Sequence, residues 1–276
     1  MANAQPRNEV FAANRALGHV ALTIAAGPNG TRRQRVREAG SLRIRFPNRN
    51  DTALDAVIAN IAGGMTGGDR FNLEIKVGQG AELRVTTAAA EKIYRTLGAD
   101  TDIGVKLDIE RGGRLAWLPQ ETILFDHARL RRRIDIDLAA GADLIVAEAI
   151  VFGRSAMAET VTSGFLSDRW RARIDGALVF ADAARLDGGV AERLTARAVT
   201  AGGVAVASVL KIPGDEQTLA AIRAMQQDFV GEVGASAWNG LLAVRCVAAQ
   251  GAMLRHDLAK ILAALGCTPL PRLWSN

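Results

Sequence analysis

Four acidic residues that stand within or beside apolar segments are the side chains of this sequence best suited to chemistry. They are Glu121, Asp126, Glu148 and Glu159. A carboxylate on the inward face of a strand is costly unless it is paired or hydrated. One interpretation is a hydrated internal path, whose oxygen donors contact a divalent ion weakly and exchangeably. The structural alternative is a set of buried ion pairs that fix the strand register, with Arg154 as the expected partner of Glu148.

Other kinds of site lack the motifs that they require. The glycine-rich segment 62–69 has no Gly-x4-Gly-Lys-Ser/Thr pattern, so it is predicted to be a tight connection with positive φ and not a phosphate-binding loop. No Gly-x-Ser-x-Gly elbow occurs. His19, His127 and His256 form no His-x-x-x-His pair, which argues against a zinc site. We therefore expect no catalytic residues and no permanently bound cofactor.

Arginine dominates the basic residues: 34 residues are lysine or arginine, only five of them lysine, and the net charge is +5. Two clusters stand out, namely Arg32, Arg33, Arg35 and Arg37, and Arg129, Arg131, Arg132 and Arg133. Nucleic-acid binding is the most specific functional interpretation of these two clusters. However, only 5% of residues are aromatic, which supplies few base-stacking side chains. Solvated strand faces or a protein interface are favoured, because guanidinium groups pair well with carboxylates.

The elements that must position these residues are short strand pairs joined at a glycine, which recur about every thirty residues. The clearest copies turn at Gly80, Gly112 and Gly141, and weaker copies turn at Gly176 and Gly202. Alternating apolar residues give each arm one buried face, and glycine accepts the positive φ of a tight turn. Similar units at a fixed period stack over a continuous core. The sequence therefore predicts a mostly β fold, a β-helix-like stack of short strands with two helices in the C-terminal region.

The organisation of the chain predicts one domain with a helical appendage. Residues 1–15 are expected to be a flexible N-terminus, and residues 16–276 a single all-β domain. Apolar periodicity predicts helices at about 215–230 and 252–265, with one strand at 238–247 between them. Two cysteines are too few for a disulfide framework. No apolar run approaches the roughly 20 residues of a membrane span, and no signal-type segment is recognised, so a cytoplasmic location is expected.

Seven segments, taken together and in order, resemble the family of urease accessory proteins called UreD, or UreH in some systems. They are residues 63–69, 83–95, 118–129 (LPQETILFDHAR), 148–159 (EAIVFGRSAMAE), 168–178, 238–245 and 270–274. The resemblance runs from about Gly18 to the C-terminus. Two positions depart from the family pattern: Ala88, where many relatives carry glutamine, and Ala158, where glycine is usual.

The resemblance implies a non-enzymatic maturation factor with an all-β, β-helix-like body and two helices. Family members bind apo-urease and the helical accessory protein UreF, which in turn holds the nickel GTPase UreG. Nickel would be in transit through a water-filled internal tunnel, and the four acidic residues above are our candidates for its lining. We expect the helical partner to bind the C-terminal third, with Trp274 and Arg272 as anchors, because a terminal tryptophan beside an amphipathic helix is typical of interfaces.

Two other classes of function remain open from the residues alone. A β-solenoid carbohydrate-active enzyme would use carboxylates with lysine or arginine, but such enzymes usually carry aromatic sugar platforms, and this chain has one tyrosine and four tryptophans. A purely structural interaction module would not need the acidic residues for function. Neither a nucleic acid nor a membrane is expected as a partner.

Overall fold

The computed structural model describes residues 15–47, 53–154 and 157–274. Apart from Arg15, the N-terminal segment 1–15 lies outside these ranges. The described helices are α1 (Val190–Thr195), α2 (Glu216–Ala224) and α3 (Gly251–Ala264). The described strands are β1 (Leu17–Gly27), β2 (Gly30–Gly40), β3 (Leu42–Arg45), β4 (Leu54–Asn60), β5 (Arg70–Val77), β6 (Glu82–Thr87), β7 (Glu91–Ile93), β8 (Thr101–Ile109), β9 (Arg114–Trp117), β10 (Thr122–Leu124), β11 (Arg129–Leu138), β12 (Asp143–Phe152), β13 (Ser163–Ile174), β14 (Ala177–Gly189), β15 (Ala205–Ile212), β16 (Glu232–Trp238) and β17 (Leu241–Ala248).

Two sheets form the body of the protein. The first sheet has seven strands in the order β14-β13-β11-β8-β5-β1-β2. The second has ten, in the order β16-β17-β15-β12-β9-β6-β4-β3, with β10 and β7 branching from β12. The central strands of both sheets pair in parallel, so the chain climbs as a β-solenoid-like stack of about four turns. The predicted fold class is confirmed.

The strong glycine repeats are the turns that carry the chain from the first sheet to the second. Gly80, Gly112 and Gly141 have φ of +65°, +67° and +81°, a region that L-residues with a Cβ rarely adopt. The Gly112 N–H donates to the Gly141 carbonyl at 3.1 Å, so successive turns stack. The prediction that the two weaker repeats are further copies of this turn between the sheets was wrong. Gly176 joins β13 and β14 as an antiparallel hairpin within the first sheet, and Gly202 lies in the turns between α1 and β15.

The C-terminal region departs from the prediction in its details. The predicted strand 238–247 corresponds to β17, which begins at Leu241, and the preceding strand β16 was not predicted. The two strands turn at Asn239 and Gly240 with φ of +48° and +74°, the Asn-Gly pair of a tight hairpin. Helix α2 begins after Asp215, whose Oδ1 accepts the Thr218 N–H at 2.7 Å, a normal N-cap. It ends well before residue 230, and a 3-10 turn follows at Gln226–Asp228. Helix α1 was not predicted.

Two hydrophobic layers hold the fold together. One lies between the sheets and includes Leu107, Ile134 and Leu144. The other lies between the second sheet and the helices, where Leu258 and Ile261 of α3 are buried. The second sheet is therefore covered on both faces, which explains why every residue of β12 from Leu144 to Phe152 is buried. The first sheet keeps a solvated outer face, as the strict alternation of β5 indicates. Among the described residues, no helix is long and apolar enough to cross a membrane.

Candidate functional site

A cavity of about 200 Å³ between the two sheets is the candidate site. Its lining extends from the exposed residues Ala88 and Ala89, which follow β6, to the buried side chains Trp117, Arg132 and Glu148. Both sheets contribute to its walls. Of the four acidic residues singled out from the sequence, Glu148 is the one that lines this cavity.

The inner end of the cavity is a buried charged cluster, which we call the Arg132 triad: Arg132 of β11, Glu148 of β12 and Asp168 of β13. Arg132 donates to both carboxylate oxygens of Asp168, from Nε at 2.9 Å and from Nη2 at 2.7 Å. Its Nη1 donates a short hydrogen bond to Glu148. Trp117 Nε1 donates to the other oxygen of Glu148 at 2.8 Å, and Trp170 Nε1 donates to Asp168 at 3.2 Å. The triad thus joins the two sheets across the core.

The strand pattern places each member of the triad. Arg132 stands among the inward residues Leu130 and Ile134, which are both fully buried. Asp168 lies directly beside Arg132 in the parallel register of β11 and β13. Glu148 occupies an inward position of β12. The expectation that Arg132 lies on a solvated face or in a protein interface was wrong, because this side chain is buried in the core, and Asp168 was not singled out. Side chains on one face of a strand repeat every second residue, so the apolar alternation of β11 and β13 was the signal that could have identified both as inward residues.

The electrostatics of the triad follow from burial with one cation and two carboxylates. Burial works to lower the pKa of Arg132, but the charges of Asp168 and Glu148 outweigh it and raise that pKa, so the guanidinium stays charged. Burial raises the pKa of Glu148 in spite of Arg132. The predicted partner Arg154 was wrong, because Arg154 donates to Glu159 instead, at 2.8 Å from Nε.

Glu91 is a second carboxylate on the cavity, and sequence reasoning missed it as well. It lies at the start of β7, where its Oε1 accepts the Asn60 Nδ2–H at 2.9 Å. Burial raises its pKa to about 7, against the lowering effect of the Asn60 hydrogen bond. Among the described residues it forms no ion pair, and the charge of the neighbouring Lys92 lowers its pKa less than burial raises it. Glu91 can therefore gain or lose a proton near neutral pH.

The other three predicted acidic residues are held by partners of their own. Glu121 forms a bidentate pair with Arg255 of α3, with oxygen–nitrogen distances of 2.9 and 2.8 Å. Asp126 accepts the Thr162 N–H at 2.7 Å and the Ser163 N–H at 3.2 Å. Glu159 pairs with Arg154 and borders a separate pocket beside α1. The Asp126 backbone lies close enough to the Glu159 carboxylate to lower its pKa, so these two residues are neighbours. The structure does not gather all four residues at the cavity, and a role for them in ion passage stays a prediction.

The two predicted partner anchors differ in exposure. Trp274 is buried in its own chain, where its Nε1 donates to the Leu118 carbonyl at 3.0 Å. Arg272 is exposed. The Gln120 amide also donates to the Leu273 carbonyl at 3.2 Å, so the C-terminal turn is fastened to the segment that follows β9. Pro119 and Gln120 of that segment line the cavity, which connects the tail to the cavity wall.

Within the described residues, no group of three or more histidine, cysteine, aspartate or glutamate side chains is arranged to hold a metal ion. The thiols of Cys246 and Cys267 are free and buried, and burial raises their pKa values to about 12 and about 11. Such thiols are poor thiolate ligands at neutral pH. The cavity therefore offers the carboxylates of Glu91 and Glu148, and Glu91 can exchange a proton there.

Comparison with known proteins shows which family the chain belongs to. The family model for the UreD urease accessory protein matches residues 16–275. A protein of Rhodopseudomonas palustris strain HaA2, named "Urease accessory protein UreD", is 51% identical over 265 residues, 96% of this chain and 95% of that protein. One of the same name from Bradyrhizobium diazoefficiens is 47% identical over 269 residues, 98% and 97% of the two chains. The chain belongs to the UreD family of urease accessory proteins.

Proposed function

We propose that this protein is a non-enzymatic maturation factor that assists the insertion of nickel into urease. The observation that carries the proposal is the identity of 51% across nearly the whole chain to a protein named as a urease accessory protein. Family membership supports a role in urease maturation. The finer steps, which are nickel delivery and a complex with apo-urease, the helical protein UreF and the GTPase UreG, are part of the proposal.

The absence of catalytic activity is also part of the proposal. The relatives are named accessory proteins, and the sequence has neither a nucleophile elbow nor a phosphate-binding loop. GTP hydrolysis would then belong to a partner. A cytoplasmic location is consistent with the free thiols of Cys246 and Cys267, since reducing compartments keep thiols unpaired.

Nickel would be cargo and would not be held permanently. The cavity supports this idea, because it offers the carboxylates of Glu91 and Glu148 and no histidine or thiol among its lining residues. Carboxylate oxygens bind such a borderline ion less firmly than imidazole or thiolate groups do. A carrier must release its ion, so weak ligation suits passage better than storage.

Urease activation tests the role of the whole protein. Apo-urease and its accessory proteins are produced with or without this chain, and urease activity and urease-bound nickel are measured together. We expect both to fall to the apo-enzyme background when the chain is omitted. We also expect tagged protein to co-purify with apo-urease. Full nickel loading of urease without this chain would contradict the proposal.

The substitution Glu148→Gln tests the cavity as the route, and Glu232→Gln, at an exposed position of β16 outside the cavity, is the matched control. Glutamine keeps one acceptor oxygen, which serves either Trp117 or Arg132, and Arg132 stays paired with Asp168, so we expect the variant to fold with reduced stability. We expect Glu148→Gln to lower nickel loading of urease in folded protein that still binds its partners. The control should load urease normally. If loading falls only in proportion to the folded fraction, Glu148 is structural and the route does not pass it.

A further inference from the structure

Strand β2 is a long exposed edge with unused backbone groups. It is the last strand of the first sheet and pairs with β1 alone among the described strands. Each residue from Arg32 to Gly40 is exposed, including Val36 at 41%. An edge of this kind presents a row of free N–H and C=O groups that can accept another strand.

The charge of this edge is strongly positive. Arg32, Arg33, Arg35 and Arg37 lie on β2, and none of them forms an ion pair with a described carboxylate. Arg33 instead stacks over the Phe46 ring, 4.7 Å from its centre. The acidic residue of the strand, Glu38, is engaged by Arg45 at 2.9 Å. The positive charge of β2 is therefore not neutralised by its described surroundings.

The register of β2 against β1 puts three of the arginines on one face. Arg32, Arg35 and Arg37 lie opposite Ala25, Thr23 and Ala21. These β1 residues alternate with the buried Val20, Leu22 and Ile24, so the three arginines share the solvated face of the sheet. Arg35 and Arg37 are two residues apart, which corresponds to about 6.6 Å along a strand. Alternate side chains of an added strand have the same spacing.

We propose that β2 docks an extended acidic segment of a partner protein by strand addition, with Arg35 and Arg37 contacting its carboxylates. Backbone hydrogen bonds supply the pairing, and the guanidinium groups select for negative charge. This inference goes beyond the proposed function, since it holds for whichever protein carries the segment.

Charge argues against a second copy of this chain as the occupant of this edge, and the lack of aromatic residues on β2 argues against a nucleic acid. Pairing of β2 with β2 of a second copy would bring arginines of the two strands together, and like charges across strands are destabilising. A nucleic acid would find no tryptophan or tyrosine on β2 on which to stack bases. An acidic peptide satisfies both the backbone edge and the guanidinium groups.

The experiment uses the full chain and a fluorescein-labelled peptide of alternating glutamate and valine, about eight residues long, which is an ordinary strand length. Binding is measured by fluorescence anisotropy, and hydrogen exchange follows the β2 amides that point away from β1. The test variant is Arg35→Glu with Arg37→Glu. The matched control is Arg169→Glu with Arg171→Glu, which changes two exposed arginines on β13, a strand with neighbours on both sides.

We expect the test variant to weaken peptide binding by roughly tenfold or more, equivalent to about 1.4 kcal/mol, and the control to bind like the unaltered protein. The peptide should slow exchange of the outward β2 amides, and methylation of alternate peptide amides should abolish binding. Equal binding by the test variant, or by the methylated peptide, would overturn the proposal. So would outward β2 amides that are already protected in the free protein, because another part of the chain would then cover the edge. Tighter binding of duplex DNA than of the peptide would overturn it in favour of a nucleic acid.

Discussion

Two arginine clusters of similar composition lie on strands of the same sheet, and their surroundings are opposite. On β11, Arg129 and Arg131 share the carboxylate of Asp100 at 2.8 and 2.7 Å, and Arg132 is buried in the triad. On β2, the arginines are exposed and meet no described carboxylate. β11 is paired on both sides, whereas β2 is an edge.

The difference shows that the role of an arginine run depends on the neighbours of its strand. On the interior strand β11, three of the four arginines meet carboxylates of neighbouring segments and become part of the fold. The fourth, Arg133, stays exposed. An edge strand has neighbours on one side only, so its arginines remain available to another molecule. Arginine therefore stabilises the fold on β11 and, in our proposal, binds a partner on β2.

The largest effect is expected from breaking the buried cluster. Arg132→Met would leave Glu148 and Asp168 buried without their cation, and we expect the free energy of unfolding to fall by about 3–5 kcal/mol. Arg133→Met, on the exposed face of the same strand, should change it by no more than about 0.5 kcal/mol. Urea unfolding of both variants measures the difference. Equal stabilities would show that the triad does not hold the sheets together.

Glu91 is an intermediate case, a partly buried carboxylate that forms no ion pair with a described cation, and the pH dependence of stability tests its contribution. Its pKa is raised from 4.5 to about 7, so the folded protein binds this proton more tightly than the unfolded chain. The contribution of Glu91 to the free energy of unfolding is fully present below pH 4.5 and is lost as the pH rises towards 7. The total loss is up to about 3 kcal/mol, and no further loss is expected above that range. Urea unfolding across this pH range should show that the free energy of unfolding of Glu91→Gln falls less with pH than that of the unaltered protein. Glu232→Gln, an exposed control, should retain the full slope.

A smaller effect is expected at the partly buried pair of Glu121 and Arg255. Arg255→Met should lower the free energy of unfolding by about 1–2 kcal/mol, since the pair is bidentate but partly solvated. Hydrogen exchange should also quicken at residues 118–121, where the tail is fastened. Arg272→Met, at an exposed position, is the control and should change neither measurement. If exchange at 118–121 is unaltered, Arg255 does not secure this segment.

The smallest effect on stability is expected at the edge. Arg35→Gln combined with Arg37→Gln removes exposed charges that meet no described carboxylate, so unfolding should change by no more than about 0.5 kcal/mol. Thermal and urea unfolding measure it. A loss comparable with that of Arg132→Met would mean that the β2 arginines are structural, and the contrast between the two clusters would disappear.

Much of the fold was accessible from local pattern. The three strong glycine turns and the alternation of β5, β8 and β11 predicted the stacked strands, because both depend on residues close in the chain. The weak repeat at Gly176 misled for the same reason, since a hairpin within one sheet and a turn between two sheets share the same local sequence. Asn239 and Gly240 carried a hairpin signal that the single-strand interpretation of 238–247 overlooked.

The candidate site was less accessible. Glu148 was identified as an inward carboxylate, but its partner was assigned to Arg154, which is six residues away in sequence. The true partner, Arg132, lies on the facing sheet, and Asp168 reaches it through the register of β11 and β13. Glu91 was missed because its surroundings come from Asn60 and the loops around the cavity.

The sequence by itself determined the β-rich repeat, the places of its turns and, through family resemblance, the class of protein. These depend on backbone preferences and on periodicity, which act over a few residues. Only the tertiary structure decided which carboxylate meets which arginine and which strand is left as an edge. Those outcomes depend on the register between strands distant in the chain and on the exclusion of water, neither of which is encoded in any short segment.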